Sequence, residues 1–292
     1  MDVIQAIVLA IIEGITEFLP VSSTAHLKFT DFIMGYEQTP FRDMFEVMIQ
    51  LPAILAIVVL YWKKFFDFKN LTFYLKLIVA VVPALIFGII FKKHIESVLG
   101  NLWFISIVMI LGGVVLIFID TFFKQNVITD EKEISYSTAL KIGSFQVLSI
   151  LFPGLSRSAS TIIGGMSQKL TRKSAAEFSF FLAVPTMIAA SSKSFYDACK
   201  GNYLIINKIS ESQEQSVKIS LSQIFSKENL NTLFTHNNTI SFAIGCAISF
   251  FVAVLAVKFF IEILNKYGFK FFGFYRIAIG IVMLILLISN HK

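Results

Sequence analysis

Long apolar runs separated by short polar clusters set the pattern of this chain. Val47–Trp62, Phe73–Phe91, Leu102–Ile119, Ile240–Val257 and Phe274–Ile288 approach bilayer length, since about 20 helical residues cross a hydrocarbon core. They predict an all-α, polytopic membrane protein. Asp197–Asn238 breaks the pattern. It is polar, rich in Asn, Ser and Lys, with one amphipathic piece, "LSQIFSKENLNTLF", and predicts an extramembrane loop carrying a surface-lying helix.

A second pattern lies within the apolar one. Pro20 and Pro153, Ser23 and Ser156, Pro52 and Pro185, and Glu13 and Gln146 each stand 133 residues apart. "EFLPVSSTA" thereby overlies "ILFPGLSRSA", which predicts two duplicated halves, 1–130 and 131–292. Paired, interrupted hydrophobic segments point to a site at the interface of inverted repeats. Broken helices survive at membrane depth only where protein or a watery cavity covers the backbone. Each motif is therefore expected at the tip of a re-entrant helix–loop–helix.

Composition agrees: 56% of residues are hydrophobic, 15% are charged, and the mean hydropathy is +0.76. The net charge of +6 does not signal nucleic-acid binding, because the lysines sit at helix ends as Lys63-Lys64, Lys92-Lys93, Lys258 and Lys266–Lys270. That is the placement of interfacial anchors. Consecutive loops carry similar lysine counts, so charge leaves the orientation open. Cys199 and Cys246 give neither a disulfide framework nor metal spacing and read as structural thiols. The N-terminal "MDVIQAIVLAIIEG" lacks a basic region and a cleavage site, and does not read as a removable signal peptide.

The chemistry concentrates in the two motifs. Glu13 and Glu17, four apart, share one helix face. Two ionised carboxylates and Arg157 would cost roughly 10 kcal/mol unpaired at the membrane centre, so pairing, a cation or a watery cavity is required. Ser22 and Ser23 lie at a helix start, where hydroxyls and free N–H groups make an anion site; Thr24 reads as a cap. His26 is one turn further on, and an imidazole suits proton transfer or attack at phosphorus. In "PGLSRSAST", Gly154 permits a tight turn, Ser156, Ser158 and Thr161 offer hydroxyls, and the Arg157 fork suits phosphate oxygens. His94, His236 and His291 lack such neighbours and read as loop or terminal residues. The carboxylates suit Mg²⁺ or Ca²⁺ better than Zn²⁺. Residue chemistry thus reaches a membrane-embedded lipid phosphate or diphosphate hydrolase.

At these residues the chain resembles the undecaprenyl-diphosphate phosphatase family, also called the bacitracin-resistance proteins. "EGITEFLPVSSTAH" and "PGLSRSAST" match its two motifs, and "FEVMIQL" and "EFSFFLAVP" are similar to it as well. The resemblance implies hydrolysis of undecaprenyl diphosphate to the monophosphate, which recycles the carrier for cell-wall synthesis. It also implies an inverted-repeat fold in the bacterial plasma membrane with the site open to the outer face. By matched position, Glu13 and Glu17 are its essential acids, and Ser23, His26 and Arg157 hold catalytic and phosphate-binding roles. Our residue-level reading leans to His26 as base or nucleophile, Ser22 and Ser23 as substrate ligands, and the two acids as metal ligands. The nucleophile stays open among His26, Ser23 and water. The expected partners are a polyprenyl diphosphate and membrane lipids, with a homodimer left open. Ala25 replaces a glycine common in the family, and the 197–238 segment looks longer than usual.

Two other readings compete. A lipid transporter would also need a phosphate cradle but no proton-transfer group. A PAP2-type lipid phosphatase would need a histidine soon after its Ser-Arg pair, and the next one after Arg157 is His236.

Overall fold

A computed structural model describes residues 1–36, 39–124, 126–207 and 220–290. The described residues are helical apart from turns and one isolated bridge between Ile128 and Leu170. The first half contains α1 (Val3–Thr16), α2 (Ser23–Met34), α3 (Pro40–Met48), α4 (Gln50–Leu60), α5 (Trp62–Phe65), α6 (Leu71–Ile90), α7 (Lys92–Leu99) and α8 (Leu102–Phe122). After a 3₁₀ turn at Glu131–Glu133 come α9 (Tyr136–Leu151), α10 (Arg157–Ser167) and α11 (Arg172–Ile206). The chain closes with α12 (Leu221–Ile224), α13 (Lys227–Leu233), α14 (His236–Tyr267) and α15 (Lys270–Asn290).

Local chemistry sets the helix starts. Asn70, Asn101, Ser135, Thr171 and Thr235 each accept a backbone N–H three residues ahead, satisfying one of the donors left free in a first turn. Six segments are long and apolar enough to cross a membrane: Pro40–Leu60, Leu71–Ile90, Leu102–Phe122, Arg172–Ile206, His236–Tyr267 and Lys270–Asn290. Five coincide with the predicted runs, of which Val47–Trp62 and Phe73–Phe91 extend slightly past the segment ends. The sixth, Arg172–Ile206, went unpredicted because serines, lysines and Pro185 dilute its hydropathy to 1.3.

The halves interlock. α1 packs along α14 and α9 along α6, so each half's opening helix lies on a long helix of the other, while α8 pairs with α15. Small residues permit these approaches. A Cβ on Gly143 would sit 2.6 Å from the Ala80 carbonyl carbon, and one on Gly273 would sit 2.7 Å from the Gly113 oxygen. The largest core joins Phe18, Phe178, Phe180, Phe181, Phe260 and Phe272.

The structure corrects the start of the 197–238 segment, expected as loop, and bears out a helix in its amphipathic piece. Asp197–Ile206 continues α11, and the amphipathic piece folds into α12 and α13, whose Ile224 and Leu233 pack on Ala198 and Cys199. Asn229 fixes this corner by donating to the Cys199 and Ile224 carbonyls. The centre of the segment, 208–219, lies outside the described residues, as does His291. His94 and His236, expected in loops, lie in α7 and at the start of α14.

Candidate active site

Ser22 caps α2 and Ser156 caps α10, each accepting the N–H three residues ahead, from Ala25 and Ala159. Both serines hold a left-handed backbone, φ 72° and 77°, a conformation that costs a non-glycine residue roughly 1–3 kcal/mol and gathers at functional sites. The two caps, Ser22 and Ser156, stand 134 apart, one more than the 133 between Pro20 and Pro153, so the second turn has one more residue between its proline and its cap. Ser23 therefore corresponds to Arg157. The geometry also shows that Ser22 is the cap, and Thr24, expected to cap, is the second residue of α2.

The two turns meet. Arg157 Nη2 donates to Glu17 Oε1 at 2.8 Å, and Ser23 Oγ donates to Glu17 Oε2 at 2.7 Å. One carboxylate thus ties the N-terminal motif to a residue 140 positions away. Arg157 Nη1 donates to the Ser179 carbonyl at 3.0 Å, and its Nε is buried without a partner among the described residues. The side chains of Arg157 and Glu17 are only 10% and 4% exposed, so the pair is shielded from water and either charge alone would be costly.

Glu17, Ser22, Ser23, Thr24, Gly154, Ser156 and Arg157 line a cavity of about 1300 Å³. This exceeds the roughly 300–1,000 Å³ of ordinary small-ligand sites. Its wall includes Ala84, Leu85, Gly88, Ile89, Leu99 and Leu102, an apolar track along α6, α7 and the start of α8, and Lys92, Lys193 and Asp197 line the cavity too. Glu46 and Asp31 also reach the cavity, held by Arg42 and Lys28: Lys28 Nζ lies 2.8 Å from Glu46, and Arg42 pairs with Asp31.

Four expected site residues sit elsewhere. His26 is turned from the cavity on α2; its Nδ1 is 2.8 Å from the Ser22 carbonyl and its Nε2 is 2.8 Å from the Tyr275 hydroxyl. With both nitrogens engaged, it braces the turn. Ser158 follows Arg157 by one helical step and points inward, its Oγ 3.5 Å from that of Ser156. The Thr161 hydroxyl folds back onto the Arg157 and Ser158 carbonyls and meets Ser179 Oγ at 2.6 Å. Glu13 is fully buried behind Glu17, within electrostatic reach of Glu17, Glu46 and Arg157. Neither Glu13 oxygen has a hydrogen-bond partner among the described residues. Those bare carboxylate oxygens are the donor type a hard cation takes. Among the described residues, however, no three His, Cys, Asp or Glu groups stand at metal-binding distances.

Sequence reasoning missed Arg276, Glu46 and Ser179. Arg276 lies inside the predicted apolar run Phe274–Ile288 and is fully buried. The cost argument applied to Arg157 would have found it. Glu46 and Ser179 lie within "FEVMIQL" and "EFSFFLAVP", the stretches already similar to the family, and Glu46 also has Arg42 one turn before it.

A multi-pass helical membrane protein with a buried, charge-paired cavity open to an apolar track is the class these features define. The family model for "Bacitracin resistance protein BacA" matches residues 6–282. Curated proteins named undecaprenyl-diphosphatase are similar throughout. That of Flavobacterium psychrophilum is 44% identical over 100% of this chain and 98% of its own. Those of Porphyromonas gingivalis and Enterococcus faecalis are 42% and 38% identical, over 99% and 98% of this chain and 98% and 97% of theirs. The chain belongs to the bacitracin resistance protein BacA family.

Proposed function

We propose that the protein hydrolyses undecaprenyl diphosphate to undecaprenyl phosphate and inorganic phosphate, and so supports bacitracin resistance. The observation that carries this reading is Glu17, shared by the Ser23 hydroxyl and the Arg157 guanidinium at the polar end of a cavity with an apolar track. A diphosphate fits the polar end, where the first N–H groups of α2 and α10 lack helical partners. The isoprenoid fits the track.

Ser23 Oγ attacks the terminal phosphorus while Glu17 takes its proton. The bond to the bridging oxygen breaks, undecaprenyl phosphate leaves, and water then cleaves the phosphoserine to release phosphate. Arg157 binds the charge that develops on the transferred group, and the Ser22 and Ser156 caps aim the helix starts at it. His26 acts in this scheme by fixing the turn. A Mg²⁺ or Ca²⁺ ion would be held by Glu13 with Glu17, and when bound it supplies Lewis-acid stabilisation of phosphate charge. The site is proposed to face the outer side of a bacterial plasma membrane.

Purified protein in detergent should release phosphate from farnesyl diphosphate. A chelator should suppress that release, and added Mg²⁺ or Ca²⁺ should restore it. Absence of release in the presence of either ion would overturn the function; undiminished release in chelator would remove the cation alone.

A further inference from the structure

Arg276 lies outside both motifs and outside the reaction just described, yet it touches both turns. Its Nη1 donates to the Pro20 carbonyl at 3.1 Å and to the Leu155 carbonyl at 2.7 Å, and its Nη2 donates to the Gly154 carbonyl at 2.8 Å. Nε donates to the Met109 carbonyl on α8 at 3.2 Å. The side chain is fully buried, and none of the ion pairs among the described residues includes it. Backbone carbonyls alone stabilise its charge. Pro20 stands three residues before Ser23 and Leu155 two before Arg157, so the acceptors belong to the loops that deliver those two side chains.

The surroundings are shaped for this group. A Cβ on Gly112 of α8 would collide with Arg276 Nη2 and sit 2.9 Å from its Cζ. A Cβ on Gly154 would sit 2.6 Å from the Ile105 oxygen, so the second turn can press against α8 only as glycine, with its carbonyl presented to the guanidinium.

We infer that Arg276 is a positioning residue that locks the two motif turns together and so aims Ser23 and Arg157 at one phosphate. The planar fork is essential to this role. Its fixed donors bridge three segments at once, which a lysine ammonium on a flexible stem does not reproduce although it keeps the charge. The inference rests on the hydrolase reading and deepens it.

The test compares wild-type protein with Arg276→Lys and Gly112→Ala in detergent, using farnesyl diphosphate. Size-exclusion profile and thermal unfolding midpoint are followed beside kcat and KM. Misplacing a reacting group by about 1 Å costs on the order of 100-fold. Folded Arg276→Lys should therefore lose about that in kcat, with KM within roughly threefold because the track is untouched. Gly112→Ala, which keeps the arginine and only displaces it, should lose kcat in the same direction. A folded variant of either kind with wild-type kcat would overturn the inference. Aggregation of both would overturn it too, since Arg276 would then serve folding alone. Failure of wild-type protein to release phosphate would sink the hydrolase reading, and the inference with it; wild-type turnover beside unaffected variants would sink the inference alone.

Discussion

Glu17 accepts from Ser23 on one oxygen and from Arg157 on the other, so replacing the acid by its amide keeps the shape and removes the base. Glu17→Gln leaves the Arg157 charge without its buried partner, so it should lower the unfolding midpoint, and it should lower kcat of the still-folded protein by roughly 10²–10⁴, the usual weight of a general base; phosphate release read beside the midpoint checks this. His26 makes a different case. Because its imidazole braces the Ser22 carbonyl and faces Tyr275, His26→Ala should cost about 100-fold through a displaced Ser23, and Tyr275→Phe should stay near wild type. A severe loss in Tyr275→Phe would mean that the His26–Tyr275 contact carries more than support. At this scale the meeting of the two motifs was legible: the residues they named, Glu17, Ser23 and Arg157, come together at one cavity. Orientation was not. Thr161 and Ser158 look like donors in a string of letters, but helical phase turns one toward its own carbonyls and the other toward Ser156.

Elements reveal where hydropathy suffices and where it fails. Five spans followed from apolar runs, whereas Arg172–Ile206 needed its packing to be recognised, since several of its polar residues face protein. Ser174, Ser179 and Ser191, for example, are buried. In the 197–238 segment a helix in the amphipathic piece was expected, and only Asp197–Ile206 was misread as loop: its polar residues hide a face, Ala198 and Cys199, that packs on Ile224 and Leu233. Helix approach is likewise invisible in one dimension. Gly143 fits against the Ala80 backbone of α6 without room for a Cβ, so Gly143→Val should force α6 and α9 apart. Overpacking of this kind costs roughly 1–3 kcal/mol and should lower the unfolding midpoint and turnover together; a wild-type midpoint would show that the interface yields.

For the whole molecule, the exchange of α1 onto α14 and α9 onto α6 means that each half's opening helix is covered by the other half. If the chain is cut at Lys124, each half expressed alone should aggregate and release no phosphate. Co-expressed halves should recover a measurable fraction of activity in one complex. Folded, active single halves would contradict a site assembled between them. The 133-residue spacing paired Ser23 with Ser156, whereas the caps are Ser22 and Ser156, because the second turn has one more residue between its proline and its cap.

The extra residue before the second cap puts Ser23 and Arg157 in equivalent slots, directly after the two left-handed serines. Identical turns would fill both slots alike, with two hydroxyls or with two guanidiniums. Unlike turns on one polypeptide set a hydroxyl and a guanidinium on the two oxygens of a single carboxylate.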